Sequence, residues 1–137
     1  MISDNPSISK KSEKIIYVEN SIKALQKLAN YHRRKLNTKI IAITGSNGKT
    51  TSKELIFNVL KTKYKTTATK GNLNNHLGVP LSLLEINENT EFGIIEMGAN
   101  HLNEISQLCK ITEPNFGYIT NFGNAHLEGF GSIEGVI

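Results

Sequence analysis

The sequence predicts an α/β fold in which helices cover both faces of a parallel β-sheet, giving three layers. From residue 39 onward, short apolar runs rich in β-branched residues alternate with stretches whose apolar residues recur every three or four positions. Strands that alternate with helices in this way are joined by right-handed crossovers and run parallel. The length of 137 residues suits about one domain with its own core.

The individual elements follow from apolar spacing and from the turn residues between them. Residues 1–14 are polar and predict a tail or a piece of a larger unit. Asn20 or Ser21 is placed to cap an amphipathic helix that reaches about Leu36. Strands are predicted at 15–18, 40–44, 65–69, 92–96 and 116–120. Further helices are predicted at 49–61, from near Pro80, and after a cap at Asn100, with Leu55, Ile56, Val59, Leu60, Leu81, Leu84, Ile105 and Leu108 buried.

Charge and composition exclude several classes of protein. The net charge of +4 comes from residues 1–39, which hold nine Lys/Arg against three Asp/Glu, whereas residues 40–137 hold seven against nine. We interpret this surplus as the solvated side of the first long helix rather than as a nucleic-acid surface. No apolar run approaches the roughly 20 residues of a membrane span, and no secretory signal is evident. The single cysteine, Cys109, agrees with a reducing cytoplasm.

The loop TGSNGKTT lies between a predicted strand and a predicted helix. Gly45 and Gly48 allow a tight turn whose N–H groups can bind phosphate at the positive end of the helix dipole. Lys49 can then reach the β- and γ-phosphates, and the Thr50 hydroxyl can hold Mg²⁺. The first glycine of the usual phosphate-binding loop falls on Ile43, so this is a shorter G-x-x-G-K-T form. A plain glycine turn is the alternative, but Gly-Lys-Thr-Thr at this junction favours phosphate binding.

A carboxylate is predicted at the same edge of the sheet, because parallel strands place the loops after their carboxyl ends side by side. Glu96 ends the strand in FGIIEMGAN, directly after two isoleucines. Mg²⁺ prefers such hard oxygen ligands. A solvent-exposed glutamate at a strand end is the alternative, but a phosphate loop requires a cation nearby, which favours the metal role.

Two other loops at this edge are rich in amide and imidazole side chains. In KGNLNNHLGVP, the residues Asn72, Asn74 and Asn75 suit either phosphate contacts or a plain turn, and composition does not decide between them. In TNFGNAHLEGFGS, Asn121 and His126 are candidates. His126 can be a metal ligand or phosphate partner, or a structural hydrogen-bonding residue.

Four motifs in this order, TGSNGKTT, GNLNNHLGVPLSLL, EMGANHLNEI and TNFGNAHLEGFGS, resemble those of the ATP-dependent Mur ligases of peptidoglycan synthesis. The resemblance covers about residues 13–137. The asparagine run and the EMGAN strand end are most similar to the member that adds D-alanyl-D-alanine to a UDP-N-acetylmuramoyl tripeptide. This implies an incomplete P-loop NTPase-like central ATP-binding domain at residues 38–137. Residues 1–37 are then the tail of the N-terminal UDP-sugar domain and its linker helix.

The resemblance also implies roles for individual residues. The implied nucleotide contacts are Gly45, Ser46, Asn47, Gly48, Lys49, Thr50, Thr51, Asn75 and Asn121. The implied Mg²⁺ ligands are Thr50, Glu96 and His126, and the implied catalytic residues are Lys49, Glu96 and His126. The cofactors are ATP and Mg²⁺, and the substrates are small molecules, with no nucleic acid, membrane or obligate protein partner. ATP would phosphorylate the terminal carboxylate of the tripeptide, and the amine of D-alanyl-D-alanine would displace the phosphate.

Two alternatives differ from this interpretation. One is another ligase of the superfamily, such as a second Mur enzyme or one that extends folate with glutamate, although neither is expected to carry both GNLNNH and EMGANH. The other is a nucleotide-binding fragment without ligase activity. The family's carbamylated lysine would lie beyond Ile137, so we expect the chain alone to be inactive.

Overall fold

The structure is a computed structural model that describes residues 1–10 and 12–123. Its strands are β1 (Ile2–Ser3), β2 (Ile16–Tyr17), β3 (Lys39–Thr44), β4 (Thr66–Ala68), β5 (Phe92–Glu96) and β6 (Phe116–Ile119). Its helices are α1 (Pro6–Ser9), α2 (Ser21–Lys35), α3 (Lys49–Leu60), α4 (Gly78–Leu84) and α5 (Glu104–Thr112). None of the helices in these residues is long and apolar enough to cross a membrane.

The main sheet has four strands in the order β4-β5-β3-β6, and every neighbouring pair is parallel. The register of the central pair places Ile43 opposite Glu96. Helix α3 follows β3 and packs against β4 and β5, whereas α4 and α5 contact the sheet from its other face. The loops that follow β3 and β5 therefore diverge and leave a crevice at the carboxyl edge, where α/β sheets bind ligands. The predicted fold class is confirmed.

The core lies mainly between the sheet and the helices α2, α4 and α5. Its buried residues are Ala29, Ile40, Ala42, Val79, Leu83, Ile86, Ile95, Met97 and Leu108. Because strand side chains alternate between faces, Ile43 and Ile94 are buried on the opposite face, beneath α3. Burying each such side chain contributes roughly 1.5–3 kcal/mol. Helix α2 packs directly on α4 and α5, so it is part of the same packed unit.

Arg33 on the basic side of α2 holds the turn between α5 and β6. Its guanidinium donates to the carbonyls of Thr112 at 3.1 Å and Glu113 at 3.2 Å, and to Asn115 Oδ1 at 3.0 Å. Glu113 has a positive φ of 44° and is also paired with Arg34. Burial lowers the pKa of Arg33, against the opposing effect of the Glu113 charge. The basic side of α2, which was predicted to be solvated, is therefore partly engaged in contacts that hold this turn.

Three packing predictions were wrong. In α3, Leu55 and Val59 are 64% and 69% exposed, because the helix turns Lys53 toward the sheet instead. In α4, Leu81 is exposed because the helix turns Val79 and Leu83 toward the core instead. Pro80 is the third residue of this helix and so lies near its start, as predicted.

The start of α5 differs from the prediction, and two short elements near the N-terminus were not predicted. Asn103, with a φ of 65°, precedes α5 in place of Asn100, whose N–H donates to Glu104. Residues 1–14, predicted to be a tail or a piece of a larger unit, contain β1 and α1, and β1 pairs in parallel with β2, within the predicted strand at 15–18. An Asn-capped proline turn and two residues of strand are too short to leave a periodic signal in the sequence.

Candidate active site

The loop between β3 and α3 has the geometry of a phosphate-binding turn. Gly45 and Gly48 have φ values of 131° and 75°, which residues with a side chain rarely adopt. A Cβ atom on Gly45 would also overlap Thr120 Oγ1. Gly48 precedes α3 without a side-chain cap, so the first-turn N–H groups of the helix lack an intrahelical partner. The Nζ of Lys49 lies over the loop, donating to Gly45 O at 2.7 Å and Ser46 O at 3.4 Å.

Asn121, which follows β6 after Thr120, holds this loop in place. Its carbonyl accepts the N–H of Ser46 at 3.2 Å, and its side chain accepts the N–H of Asn47 at 3.0 Å and donates to the Asn47 carbonyl at 3.2 Å. Two loop amides are therefore already engaged. The amides at the start of α3, from Lys49 to Thr51, are left to receive an anion.

The Glu96 carboxylate lies in the crevice between the loops and is 2% exposed. Thr50 Oγ1 donates to its two oxygens at 3.2 and 3.0 Å, and Asn74 Nδ2 donates to Oε1 at 2.9 Å. The ammonium of Lys53 lies 3.8 Å from Oε2. The alternative of a solvent-exposed glutamate is excluded. Glu96, at the end of β5, connects the loops that follow β3 and β4.

The oxygen atoms of Thr50 and Glu96 suit a hard divalent cation. The Thr50 hydroxyl and the Glu96 carboxylate lie 3.0 Å apart. Mg²⁺ commonly binds one or two such protein ligands and completes its coordination with waters and phosphate oxygens. The described residues contain no group of three His, Cys, Asp or Glu that could hold a metal by themselves. His126, the third predicted ligand, lies outside the described residues.

Asn74 and Asn75, in the loop between β4 and α4, have different roles. Asn74 contacts Glu96, and its carbonyl accepts the N–H of Gly98 at 2.8 Å. Asn75 Oδ1 accepts the N–H groups of Leu77 at 3.1 Å and Gly78 at 2.9 Å, which turns the chain into α4. Asn75 borders the same cleft, so its predicted nucleotide contact stays a prediction. Asn74 is the asparagine that reaches the carboxylate, which the sequence did not single out.

A cleft of about 640 Å³ opens beside Lys49. Amide and imidazole side chains make up much of its lining, and Leu108 and Ile111 add apolar surface. The lining residues are Gln26, Lys49, Asn72, Asn74, Asn75, His76, Gly98, Ala99, Asn100, His101, Glu104, Gln107, Leu108 and Ile111. The N–H of Asn100, at 2.6 Å, and that of His101, at 3.1 Å, donate to Glu104 and hold the pKa of its carboxyl below the usual range. A polar ligand in the cleft would lie next to Lys49.

The structure thus brings Lys49, Thr50, Glu96 and Asn74 together at the crevice, with Asn121 behind the phosphate loop. The sequence did not predict that Lys53 lies beside Glu96, because a lysine within a helix is usually exposed on the surface. The available signal was its spacing: positions 49, 53, 56 and 60 form one stripe along α3, and none of them is exposed.

Comparison with known proteins places this arrangement in a family. Residues 43–137 match the Mur ligase middle domain. The chain is 44% identical over 122 residues to the UDP-N-acetylmuramoyl-tripeptide–D-alanyl-D-alanine ligase of Bacillus subtilis, covering 89% of the chain and 27% of that protein. It is 47% identical over 122 residues to the ligase of the same name from Rickettsia prowazekii, with the same coverage. The chain spans about a quarter of the length of these curated relatives.

Solved structures agree with the sequence comparison. A crystal structure of MurF from Acinetobacter baumannii superposes with a TM-score of 0.90 at 40% identity, covering 98% of this chain and 30% of that one. MurF from Thermotoga maritima, crystallised in complex with ADP, gives a TM-score of 0.90 at 38% identity, covering 98% of this chain and 31% of that one. The predicted resemblance is confirmed.

Proposed function

Because the chain belongs to the Mur ligase family, we propose that the full-length protein is an ATP-dependent ligase that adds D-alanyl-D-alanine to a UDP-N-acetylmuramoyl tripeptide in peptidoglycan synthesis. The names of the relatives support the substrates, and the ADP complex of the Thermotoga maritima protein supports the nucleotide. The observation that carries the proposal is the contact between Thr50 of the phosphate loop and the buried Glu96, beside Lys49.

Each described residue of the site has a role in this proposal. Lys49 and the first amides of α3 bind the β- and γ-phosphates, and Asn121 keeps the loop in shape. Thr50 and Glu96, with His126, would hold Mg²⁺, which when bound would neutralise charge on the phosphates. Lys49 supplies a second positive charge where the γ-phosphoryl group moves, and fixed charges aimed at such a position are a major source of rate acceleration.

The cleft beside Lys49 is the proposed path of the carboxylate substrate. Lys49 belongs to both the phosphate loop and the cleft wall, so a carboxylate in the cleft would face the γ-phosphate. A carboxylate oxygen attacks the γ-phosphorus, and ADP leaves. The free amine of D-alanyl-D-alanine then attacks the acyl carbon, an amide bond forms, and inorganic phosphate departs with loss of a proton from the nitrogen.

The test is a substrate-dependence assay on the full-length protein. Phosphate release should require ATP, the UDP-tripeptide and D-alanyl-D-alanine together, and the product should gain the mass of the dipeptide less water. Release with a single amino acid in place of the dipeptide, or with a folate and glutamate, would identify one of the alternative ligases instead.

The 137 residues alone are proposed to be inactive, since they span about 27% of the related ligases. Incubated with all three substrates, the isolated chain should release no phosphate above background. Turnover by the isolated chain would contradict this. The division at residues 37/38 and the cytoplasmic location stay predictions.

A further inference from the structure

Lys53 is a buried lysine one helical turn beyond Lys49. Its side chain is 1% exposed, and it is the only lysine in the described part of the chain that is buried. Lysine side chains are almost never fully buried unless they are paired, because removing an ammonium from water is costly. The position therefore needs an explanation that packing alone does not supply.

The ammonium of Lys53 has three partners. It donates to the Thr69 carbonyl at 2.8 Å, and it pairs with Glu54 Oε1 at 3.2 Å and Glu96 Oε2 at 3.8 Å. Thr69 follows β4, and its Oγ1 accepts the backbone N–H of Glu96 at 3.0 Å. Lys53 and Thr69 together hold Glu96 by both its backbone and its carboxylate.

We propose that Lys53 is a positioning residue that directs the Glu96 carboxylate toward Thr50 and the proposed cation. At 3.8 Å the ammonium attracts Oε2 without the close contact that it makes with Thr69. The ammonium thereby steers the carboxylate by its charge and leaves the hydrogen bonds from Thr50 and Asn74 in place. This inference rests on the proposed role of Glu96 as a cation ligand.

Removing Lys53 has two effects of opposite sign on cation binding. An ammonium near a cation site repels the cation, so if Lys53 only supplied charge, Lys53→Met would tighten binding. If Lys53 orients Glu96, Lys53→Met should weaken binding, as the loss of groups that orient metal ligands typically does by about 10-fold or more. The sign of the change decides between the two roles.

The experiment measures Mn²⁺ binding by electron paramagnetic resonance in the full-length protein with a non-hydrolysable ATP analogue. Lys53→Met is expected to weaken Mn²⁺ binding about 10-fold while changing the affinity for the metal-free analogue less than about twofold. Glu54→Gln is the matched control, because it removes an exposed partner of the same ammonium and leaves Thr69 and Glu96 in contact. It should leave Mn²⁺ affinity within about twofold of wild type.

A double variant separates positioning from general damage. In a Glu96→Gln background, adding Lys53→Met should change Mn²⁺ affinity less than about twofold, because the carboxylate it would orient is gone. Equal losses in both backgrounds, or unchanged or tighter Mn²⁺ binding by Lys53→Met, would overturn the proposal. If Lys53→Met does not fold, Lys53→Gln takes its place, because its amide can still donate to the Thr69 carbonyl but carries no positive charge. A loss of Mn²⁺ affinity of less than about threefold in Lys53→Gln would overturn the proposal.

The outcome for Glu96→Gln alone tells the two proposals apart. If Glu96→Gln weakens Mn²⁺ binding and Lys53→Met does not, only the positioning role fails. If Glu96→Gln has no effect, the proposed cation site fails and the role of Lys53 fails with it.

Discussion

Thr50 Oγ1 lies 3.0 Å from Oε2 of Glu96, although the two residues are 46 positions apart in the chain. The contact follows from the pairing of β3 with β5, which sets Ile43 opposite Glu96 and brings the start of α3 over the end of β5. A slip of one residue in this register would turn Glu96 to the other face of the sheet. The packing of the core and the geometry of the site thus depend on the same strand pairing.

Lys49→Ala should nearly abolish ligation in the full-length protein. We expect kcat to fall by roughly 10²–10³-fold, because a fixed charge at the transferred phosphoryl group is lost. Stability should change by less than about 1.5 kcal/mol, since the ammonium only bonds two carbonyls of its own loop. Steady-state kinetics and urea unfolding measure the two effects, with the exposed Lys27→Ala as control. Unchanged kcat would mean that the loop does not bind the phosphates.

Asn74→Ala and Asn75→Ala should have different effects. Asn74→Ala removes a donor to Glu96 and should lower Mn²⁺ affinity about 10-fold. Asn75→Ala removes the acceptor for two N–H groups at the start of α4 and should lower the free energy of unfolding by about 1 kcal/mol. Metal titration and denaturation of both variants test this. If Asn75→Ala instead lowers Mn²⁺ affinity and Asn74→Ala lowers only stability, then Asn75 rather than Asn74 acts at the cation site.

Gly78→Ala should destabilise the protein more than Gly48→Ala. A Cβ at Gly78 would overlap the backbone of Leu73, which cannot move without shifting the loop between β4 and α4. We expect this to lower the free energy of unfolding by about 1–3 kcal/mol. At Gly48 no atom lies within 4 Å of the added Cβ, and only the φ of 75° is unfavourable, at about 1 kcal/mol. Urea midpoints rank the two variants, and equal losses would contradict the close approach at Leu73.

Glu104 should make the protein less stable in acid. Hydrogen bonds from the N–H groups of Asn100 and His101 lower the pKa of Glu104 from its usual 4.5. A lowered pKa in the folded state means that the stabilisation is fully present above pH 4.5 and is lost as the pH falls through the folded-state pKa. Wild type should therefore lose more stability than Glu104→Gln as the pH falls below 4.5. Parallel curves for the two proteins over that window would show that these two hydrogen bonds do not stabilise the folded state.

The sequence was sufficient to predict the order of the main elements, because apolar β-branched runs and helical periodicity depend on the local chain. Glu96 and the phosphate loop could be predicted for a similar reason, since parallel strands must end at one edge. The four loops do meet there, through contacts such as Ser46 with Asn121 and Asn74 with Gly98.

Lys53 and the face of α3 could not be predicted in this way. Helical spacing allowed either the stripe through Leu55 and Val59 or the one through Lys53 and Ile56 to face the sheet. Hydropathy favoured the first, but the buried face of β5 carries Glu96, and a buried carboxylate requires a partner of opposite charge. The need for this partner arises only once the strands have paired and buried Glu96, so it is not visible in the sequence of α3 alone.

All four residues of β6 are exposed, including Phe116, Tyr118 and Ile119, and β6 ends the sheet in the described part of the chain. An open row of peptide groups beside aromatic side chains invites any other extended segment to add alongside. A concentrated solution of this chain on its own should therefore become turbid as exposed β6 edges associate and the protein precipitates. A solubilising fusion partner is therefore the practical choice for work at high concentration.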